Sequence, residues 1–229
     1  VCSSDLWVEN GEVLFYLSQS GTFDENNAML KLGRVRLKLS PNPFTESNFK
    51  QELRLQEGGV RISSENTQIN LWVDVFHPVV HVDVQSAKPV KITATYESWR
   101  AEDRLVQGTA LRENSYKVPQ KFEVKTYQDV INFNGNEVLF YHRNRNDVEN
   151  VFDYTVRMEG MDSVKNQLFN PLKNNTFGGA IKGENMKPVG VTSGKYADTE
   201  FKAWSLETVK AVRSQQIEIS LHTAQTNTV

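Results

Sequence analysis

Apolar residues recur at every second position over much of this chain, in short runs separated by turn-forming residues. Val35, Leu37 and Leu39 fall on one face of a strand and Arg34, Arg36 and Lys38 on the other, which predicts a half-buried strand with a solvated outer face. Leu53 and Leu55 repeat the pattern, opposed by Glu52, Arg54 and Gln56. Ile69, Leu71, Val73 and Val75 make another run, followed by Val80, Val82 and Val84, then Val90, Ile92, Ala94 and Tyr96. Ile217, Ile219 and Leu221 make the last clear one. Pro41, Pro43, Gly58-Gly59, Pro78 and Pro89 fall between these runs, where turns are expected.

One phrase occurs twice. Asn10-Gly11-Glu12-Val13-Leu14-Phe15-Tyr16 returns as Asn134-Gly135-Asn136-Glu137-Val138-Leu139-Phe140-Tyr141. Asn-Gly supplies the positive φ angles of a tight turn, so each copy predicts a turn feeding a strand buried on both faces. A polar tip follows each strand: Ser18 to Thr22 in the first copy, His142 to Asn146 in the second. Stiff strands that deliver polar tips suit the holding of recognition groups. Two hairpins of one sheet protein that converged on similar turn chemistry also account for the repeat.

Helical periodicity is scarce. Asp162 to Phe169 is one short candidate, with Val164 and Leu168 spaced by four, and Leu206 to Val212 is ambiguous. Many antiparallel strands with few short helices predict an all-β fold, a large β-sandwich, with a closed barrel ranked second. Residues 101–119 and 160–188 resist strand assignment, and connections that long are unusual in compact domains unless functional or docked on something.

The chain has 229 residues, 38% hydrophobic and 24% charged, enough for a normal core. With 26 basic and 28 acidic residues the net charge is -2, which argues against a nucleic-acid partner. No apolar run approaches the roughly 20 residues needed to cross a bilayer. Cys2 is the only cysteine, which excludes an intrachain disulfide and a cysteine metal cluster. Residues 1–6 join no pattern before the strand at Trp7 and read as an assembly artefact or non-native leader. The expectation is therefore a single β-sandwich domain over residues 7–229, cut at both ends.

Catalytic motifs are hard to find. Gly190-Val191-Thr192-Ser193-Gly194 imitates a nucleophile elbow with Thr where Ser should be, and no phosphate-binding glycine loop is present. His77 and His81 flank Pro78 without the spacing of a zinc site. Carboxylates are plentiful, but a glycosidase needs a specific pair across one bond, and the sequence pairs none of them in space. No catalytic residue, metal or cofactor is assigned.

Binding chemistry is more suggestive. Trp99 shares the polar face of Lys91, Thr93, Thr95 and Glu97, and an outward aromatic ring beside polar groups can stack on a sugar. Ordinary packing is the other reading for Trp99 and the favoured one for Trp72. His142-Arg143-Asn144-Arg145-Asn146 is the densest cluster of hydrogen-bond donors, suited to adjacent hydroxyls or simply to a solvated hairpin end paired with Asp147 and Glu149.

Several phrases resemble a known family. Trp7 to Tyr16, Lys31 to Phe44, Phe140 to Asn144, Asn170 to Asn174, Thr192 to Tyr196 and Leu221 to Thr226 resemble a bacterial domain of unknown function. That domain forms the N-terminal part of large secreted proteins similar to glycoside hydrolases of the alpha-L-fucosidase, (α/α)-barrel type. The resemblance runs from Trp7 to about Thr226. It implies a β super-sandwich, a secreted or periplasmic location and a C-terminal helical barrel of the same polypeptide as partner, with the catalytic carboxylates on that barrel. It also implies that the sandwich can lend loops to the sugar site. Ser18 to Asp24 matches the place where related enzymes send an Asn-containing strand end toward substrate, although here Gln19 stands in place of Asn and no acid precedes Asp24. Residues 1–6 depart from the family pattern.

The expected function is a noncatalytic N-terminal sandwich of a glycoside hydrolase-like protein, supporting the barrel and lining the glycan cleft. Gln19, Asp24, Trp99, His142, Arg143 and Asn144 are the expected sugar or barrel contacts. A free-standing carbohydrate-binding module and a scaffold domain without a sugar site are the alternatives.

Overall fold

The computed structural model describes residues 5–45, 48–113 and 123–228. Its strands in chain order begin with β1 (Leu6–Glu9), β2 (Glu12–Leu17), β3 (Gly33–Ser40), β4 (Lys50–Arg54), β5 (Gly59–Ser63), β6 (Thr67–Val73) and β7 (Val79–Ser98). Then come β8 (Arg104–Leu105), β9 (Lys125–Thr126), β10 (Val130–Asn134) and β11 (Glu137–Arg143). After helix α1 (Val151–Met158) follow β12 (Asn175–Gly183), β13 (Met186–Tyr196), β14 (Thr199–Thr208) and β15 (Val212–Gln225).

Thirteen strands form one antiparallel network, and β7 belongs to both of its halves. One half runs β1-β2-β3-β7-β14-β13; the other runs β4-β5-β6-β7-β15-β12-β11-β10. The halves close on each other. Tyr96 of β7 stacks on Phe140 of β11 with ring centroids 4.1 Å apart, and both are buried. The all-β sandwich expectation is met. Most inward phases read from the sequence are the core: Val35, Leu37, Leu39, Val80, Val82, Val84, Ile92, Ala94 and Tyr96 are all buried, whereas Leu53 and Leu55, and Val73 and Val75, are exposed because β4 lies at the edge of its half and β6 ends at Val73. Each fully buried side chain of this size contributes about 1.5–3 kcal/mol, so the register is set by the apolar phase.

Three local expectations are corrected and one ambiguous stretch, 206–212, is resolved. Pro89 does not break the chain. The 20-residue β7 runs through it, and the exposed stretch 87–89 lies where the strand passes from one half to the other and pairing is interrupted. The stretch 160–188 holds most of β12 and the start of β13. Its Gly178-Gly179 pair reads as loop in sequence, yet a side chain on Gly178 would strike the Phe140 carbonyl and one on Gly179 the Ser220 carbonyl. Glycine is there so that neighbouring backbones can approach. Residues 162–167 form a 3₁₀ turn rather than an α-helix. The one α-helix among the described residues lies earlier, opened by a capping box in which Asn150 Oδ1 accepts from the Asp153 N–H and Asp153 Oδ2 from the Asn150 N–H. Residues 206–212 are the end of β14, a turn and the start of β15.

The repeated phrase folds in two ways. In the first copy Asn10 (φ 52°) and Gly11 (φ 77°) are the two turn residues between β1 and β2. In the second, Asn134 still pairs with Glu137, and Gly135 (φ 59°) and Asn136 make the turn. The first is a type I′ pattern; the second, with Gly leading, fits type II′. β2 is buried on both faces at Val13, Leu14 and Phe15, as expected. β11 is not: Leu139 is exposed, so that copy has one buried face. Residues 1–4 lie outside the described residues, while Leu6 is buried and pairs with Phe15.

Candidate functional site: an aromatic cleft over a buried charge network

The hairpin of β13 and β14 extends past the end of β7, since Lys202 is the last β14 residue paired with it, opposite Ser98. Its tip, turning at Ala197 (φ 49°), arches over the outer face of β3 and β2. There Tyr196 reaches Trp7 of β1, with ring centroids 6.0 Å apart. Trp7 also packs on Tyr16 at 5.3 Å, and Tyr16 meets Trp99 edge-on at 5.9 Å. The space between hairpin and sheet is a cleft of about 440 Å³, walled by Tyr16, Trp99, Tyr196 and Phe201, with Asp5, Lys31 and Arg104 around it. A second hollow of about 480 Å³ shares Trp99 and Phe201 and continues past Glu102, Lys195 and Lys202.

Arg34 forms the floor. Outward-facing in phase, it was expected to be solvated, but the hairpin buries it. Its guanidinium lies 4.0 Å from the Tyr196 ring centroid and 5.3 Å from that of Phe201. The charge is matched: Arg34 Nε donates to Glu97 Oε2 at 2.5 Å, and Arg36 Nε donates to Glu97 Oε1 at 2.6 Å. Arg36 in turn donates to Glu12. A buried carboxylate held by two guanidinium groups fixes both arginines in place. Lys31 Nζ sits 2.8 Å from Asp5 Oδ2.

Behind the cleft lies a second buried network. Arg100 donates to the Lys31 carbonyl at 2.6 Å and pairs with Asp129 at 2.7 Å. Asp129 Oδ1 is 3.2 Å from His142 Nδ1, and Glu25 Oε2 is 3.3 Å from His142 Nε2. Glu25 Oε1 also accepts from the Arg145 N–H at 2.7 Å. Burial by itself would push the His142 pKa down, but the hydrogen bonds and charges of Asp129 and Glu25 together outweigh it and raise it to about 9. Burial would raise Asp129; Arg100 and His142 hold it below the usual carboxylate value instead. Asp24 is raised, because burial outweighs the hydrogen bonds it accepts. With Arg100 and His142 both cationic, the pair of carboxylates they face is balanced. This network anchors the backbone that carries two cleft residues, Lys31 and Trp99.

The six residues singled out by sequence divide accordingly. Trp99 stands half-buried in the cleft wall. Gln19, Asp24, His142 and Asn144 gather at the 18–30 loop, where the polar tips of both repeated phrases meet, while Arg143 bonds outside it. Gln19 Oε1 accepts from Thr223 Oγ1 at 3.1 Å. Asp24 accepts from the N–H groups of Asn26 and Ala28 at 2.9 and 2.8 Å. Asn144 Nδ2 donates to the carbonyls of Phe23 and Leu172, both at 3.0 Å, and its Oδ1 is buried without a partner in the structure. Arg143 donates to Thr176 and Asn174 at 3.0 and 3.1 Å. Asp24, His142 and Asn144 are each only 2% exposed, so this tip turns inward and closes the loop rather than projecting. Trp72 is partly exposed, stacked on His81 at 4.0 Å, with its N–H on Asp83.

Tyr16, Lys31, Arg34, Tyr196 and Phe201 were not anticipated as site residues. Arg34 was read only as an outward residue of its strand, and the hairpin that gathers these residues is a long-range feature. Among the described residues no group of three or more His, Cys, Asp or Glu side chains is placed to hold a metal ion, and no helix is long and apolar enough to cross a membrane.

The family described as "Domain of unknown function (DUF5703)" matches residues 2–229, nearly the whole chain. No curated protein matches it.

Proposed function

We propose, for a chain that belongs to the DUF5703 family, a noncatalytic role as the sandwich domain of a secreted, glycoside hydrolase-like protein. In this reading it supports a helical catalytic barrel and holds part of the glycan in the aromatic cleft. The observation that carries the reading is the cleft itself. Four aromatic rings converge on one polar-rimmed hollow on the outer face of a sheet. Such rings present flat apolar surface to the C–H face of a sugar while rim groups reach its hydroxyls. The phrase-level resemblance to the N-terminal parts of glycoside hydrolase-like proteins supports the same reading. The buried network explains how a wall of stacked rings is kept rigid before a ligand arrives.

The test is a glycan-binding screen of the 229-residue chain, followed by intrinsic fluorescence titration of any hit and by assay of the same mixtures for released reducing ends. The expected result is binding without hydrolysis, abolished by Trp99→Ala in a protein whose circular dichroism is unchanged. Binding to no glycan, or binding that ignores Trp99→Ala, overturns the cleft's role.

A specific observation favours a second reading as an interaction domain. Leu55, Val75 and Phe76 are 81%, 89% and 87% exposed at the turns joining β4 to β5 and β6 to β7. Exposed apolar tips of this kind mark contact surfaces. If Val75→Ser with Phe76→Ser improves solubility while glycan binding is unchanged, the two surfaces serve separate roles.

A further inference from the structure

Resting on the reading of the cleft as a sugar site, we infer that its ligand is an acidic oligosaccharide, with a sugar carboxylate read by Arg104. Four basic and acidic groups face the first compartment: Lys31, Arg34, Arg104 and Asp5. Arg34 is neutralised beneath the floor by Glu97, and Lys31 is held by Asp5. Arg104 is different. It is exposed, and among the described residues it has no ion-pair partner. Its backbone is nonetheless fixed, because β8 pairs with β9 and the neighbouring Asp103 is tied to Lys125 and to the Gln128 N–H. A guanidinium on anchored backbone at the mouth of an aromatic cleft offers a fork of donors to a planar carboxylate, which can accept two parallel N–H···O bonds from it.

The length of the site argues for more than one sugar. The cleft and the neighbouring hollow meet at Trp99 and Phe201, which contribute to both. Each compartment is of a size to take one or two rings. Phe201 can lie flat at this junction because Gly194 faces it across the hairpin; a side chain on Gly194 would come within 2.6 Å of the ring. The second compartment is lined by Lys195 and Lys202 together with Glu102 and Glu200, so its charges balance. An oligosaccharide along the site therefore meets rings at the junction, with the carboxylate read at Arg104 in the first compartment and the second compartment left to hydroxyl contacts.

The experiment compares uronate trimers (galacturonate, glucuronate and mannuronate) with their methyl esters and with neutral trimers of the parent hexoses. Each is titrated against the chain at low and moderate salt. The expected result is that at least one uronate binds about tenfold more tightly than its ester, and that Arg104→Gln removes that preference. Salt is expected to weaken the acid form and leave the ester unaffected. Arg104 is on the surface, so the variant keeps the fold. Trp99→Phe, which retains a ring, is expected to weaken acid and ester alike. If esters or neutral trimers bind as well as the acids, or if Arg104→Gln changes nothing, the acidic-ligand inference is overturned while the sugar-cleft reading stands. If no acidic or neutral trimer binds, both fall together.

Discussion

Glu25 and His142, 117 positions apart in the chain, meet with Oε2 3.3 Å from Nε2. Each lies just beyond one copy of the repeated hairpin phrase, so their contact is where the two copies close on each other. Asp129 completes the arrangement from the opposite side of the imidazole. A cation between two carboxylates, all three buried, is costly to dismantle from the middle.

Replacing His142 by Ala should therefore leave Glu25 and Asp129 buried without the imidazole between them, each keeping one other donor, the Arg145 N–H and Arg100. The expected loss is about 3–5 kcal/mol, the range for removing one partner of a buried ion pair. His142→Gln keeps one N–H donor and should lose less. Urea denaturation of both variants checks the order, and equal, small losses in the two would show that the imidazole carries no charge in the fold.

The same group sets an alkaline limit. The folded His142 pKa of about 9 lies above the unfolded value near 6.5, so folding gains proton affinity. The stabilisation is fully present below pH 6.5 and is lost as pH rises through about 9. It amounts to at most about 3 kcal/mol. Asp129 works the other way: its depressed pKa gives stability that is present above the ordinary carboxylate value and is lost in acid. The urea midpoint should fall between pH 6.5 and 9, and His142→Gln should flatten that fall. An unchanged alkaline slope in the variant would assign the loss to other groups.

Two glycines test the closeness of the central strands. Gly178→Ala and Gly179→Ala each place a methyl about 2.1 Å from a carbonyl oxygen of an adjacent strand, a backbone atom that cannot rotate away. Each should cost at least about 3 kcal/mol or prevent folding. Gly58 (φ 67°) faces open space, so Gly58→Ala should cost only the left-handed backbone, about 1 kcal/mol. Thermal melts of the three variants side by side would reveal the contrast, and similar Tm losses at all three positions would contradict it.

The period-two phases were legible on the central strands, where burial follows them directly, as at Val35, Leu37 and Leu39; on the edge strand β4 and past the end of β6 the same phase left Leu53, Leu55 and Val75 exposed. What was not legible depends on distant chain. Arg34 and Glu97 have the outward phase of solvated residues, yet the β13–β14 hairpin covers them. Helix α1 buries only Val151 and Val156, five apart, so no apolar stripe announces it; the Asn150 and Asp153 capping pair was the available signal. Gly178-Gly179 carries no strand propensity, because its reason is the approach of two neighbouring backbones. Trp99 was visible as an outward aromatic, but its partners Tyr16 and Tyr196 come from strands that only the topology unites. His142 and Asn144 were visible as donors, while the acceptors that turn them inward lie in the 18–30 loop and at Asp129.

The two turns of the repeated phrase give the last prediction. Identical Asn-Gly dipeptides sit one position apart in their hairpins: Asn10 is inside its turn at φ 52°, whereas Asn134 is the last residue of β10. The left-handed conformation is cheap for Asn and costs other L-residues about 1–2 kcal/mol. Asn10→Ala should therefore destabilise the β1–β2 hairpin by about 1 kcal/mol, and Asn134→Ala should change stability by no more than about 0.5 kcal/mol, as for a surface strand position. Because Trp7 of β1 supports Tyr196 across the cleft, the Asn10→Ala loss should also appear as a change in tryptophan fluorescence, which Asn134→Ala should not produce. Equal effects of the two substitutions on denaturation midpoint would show that both copies use the same turn.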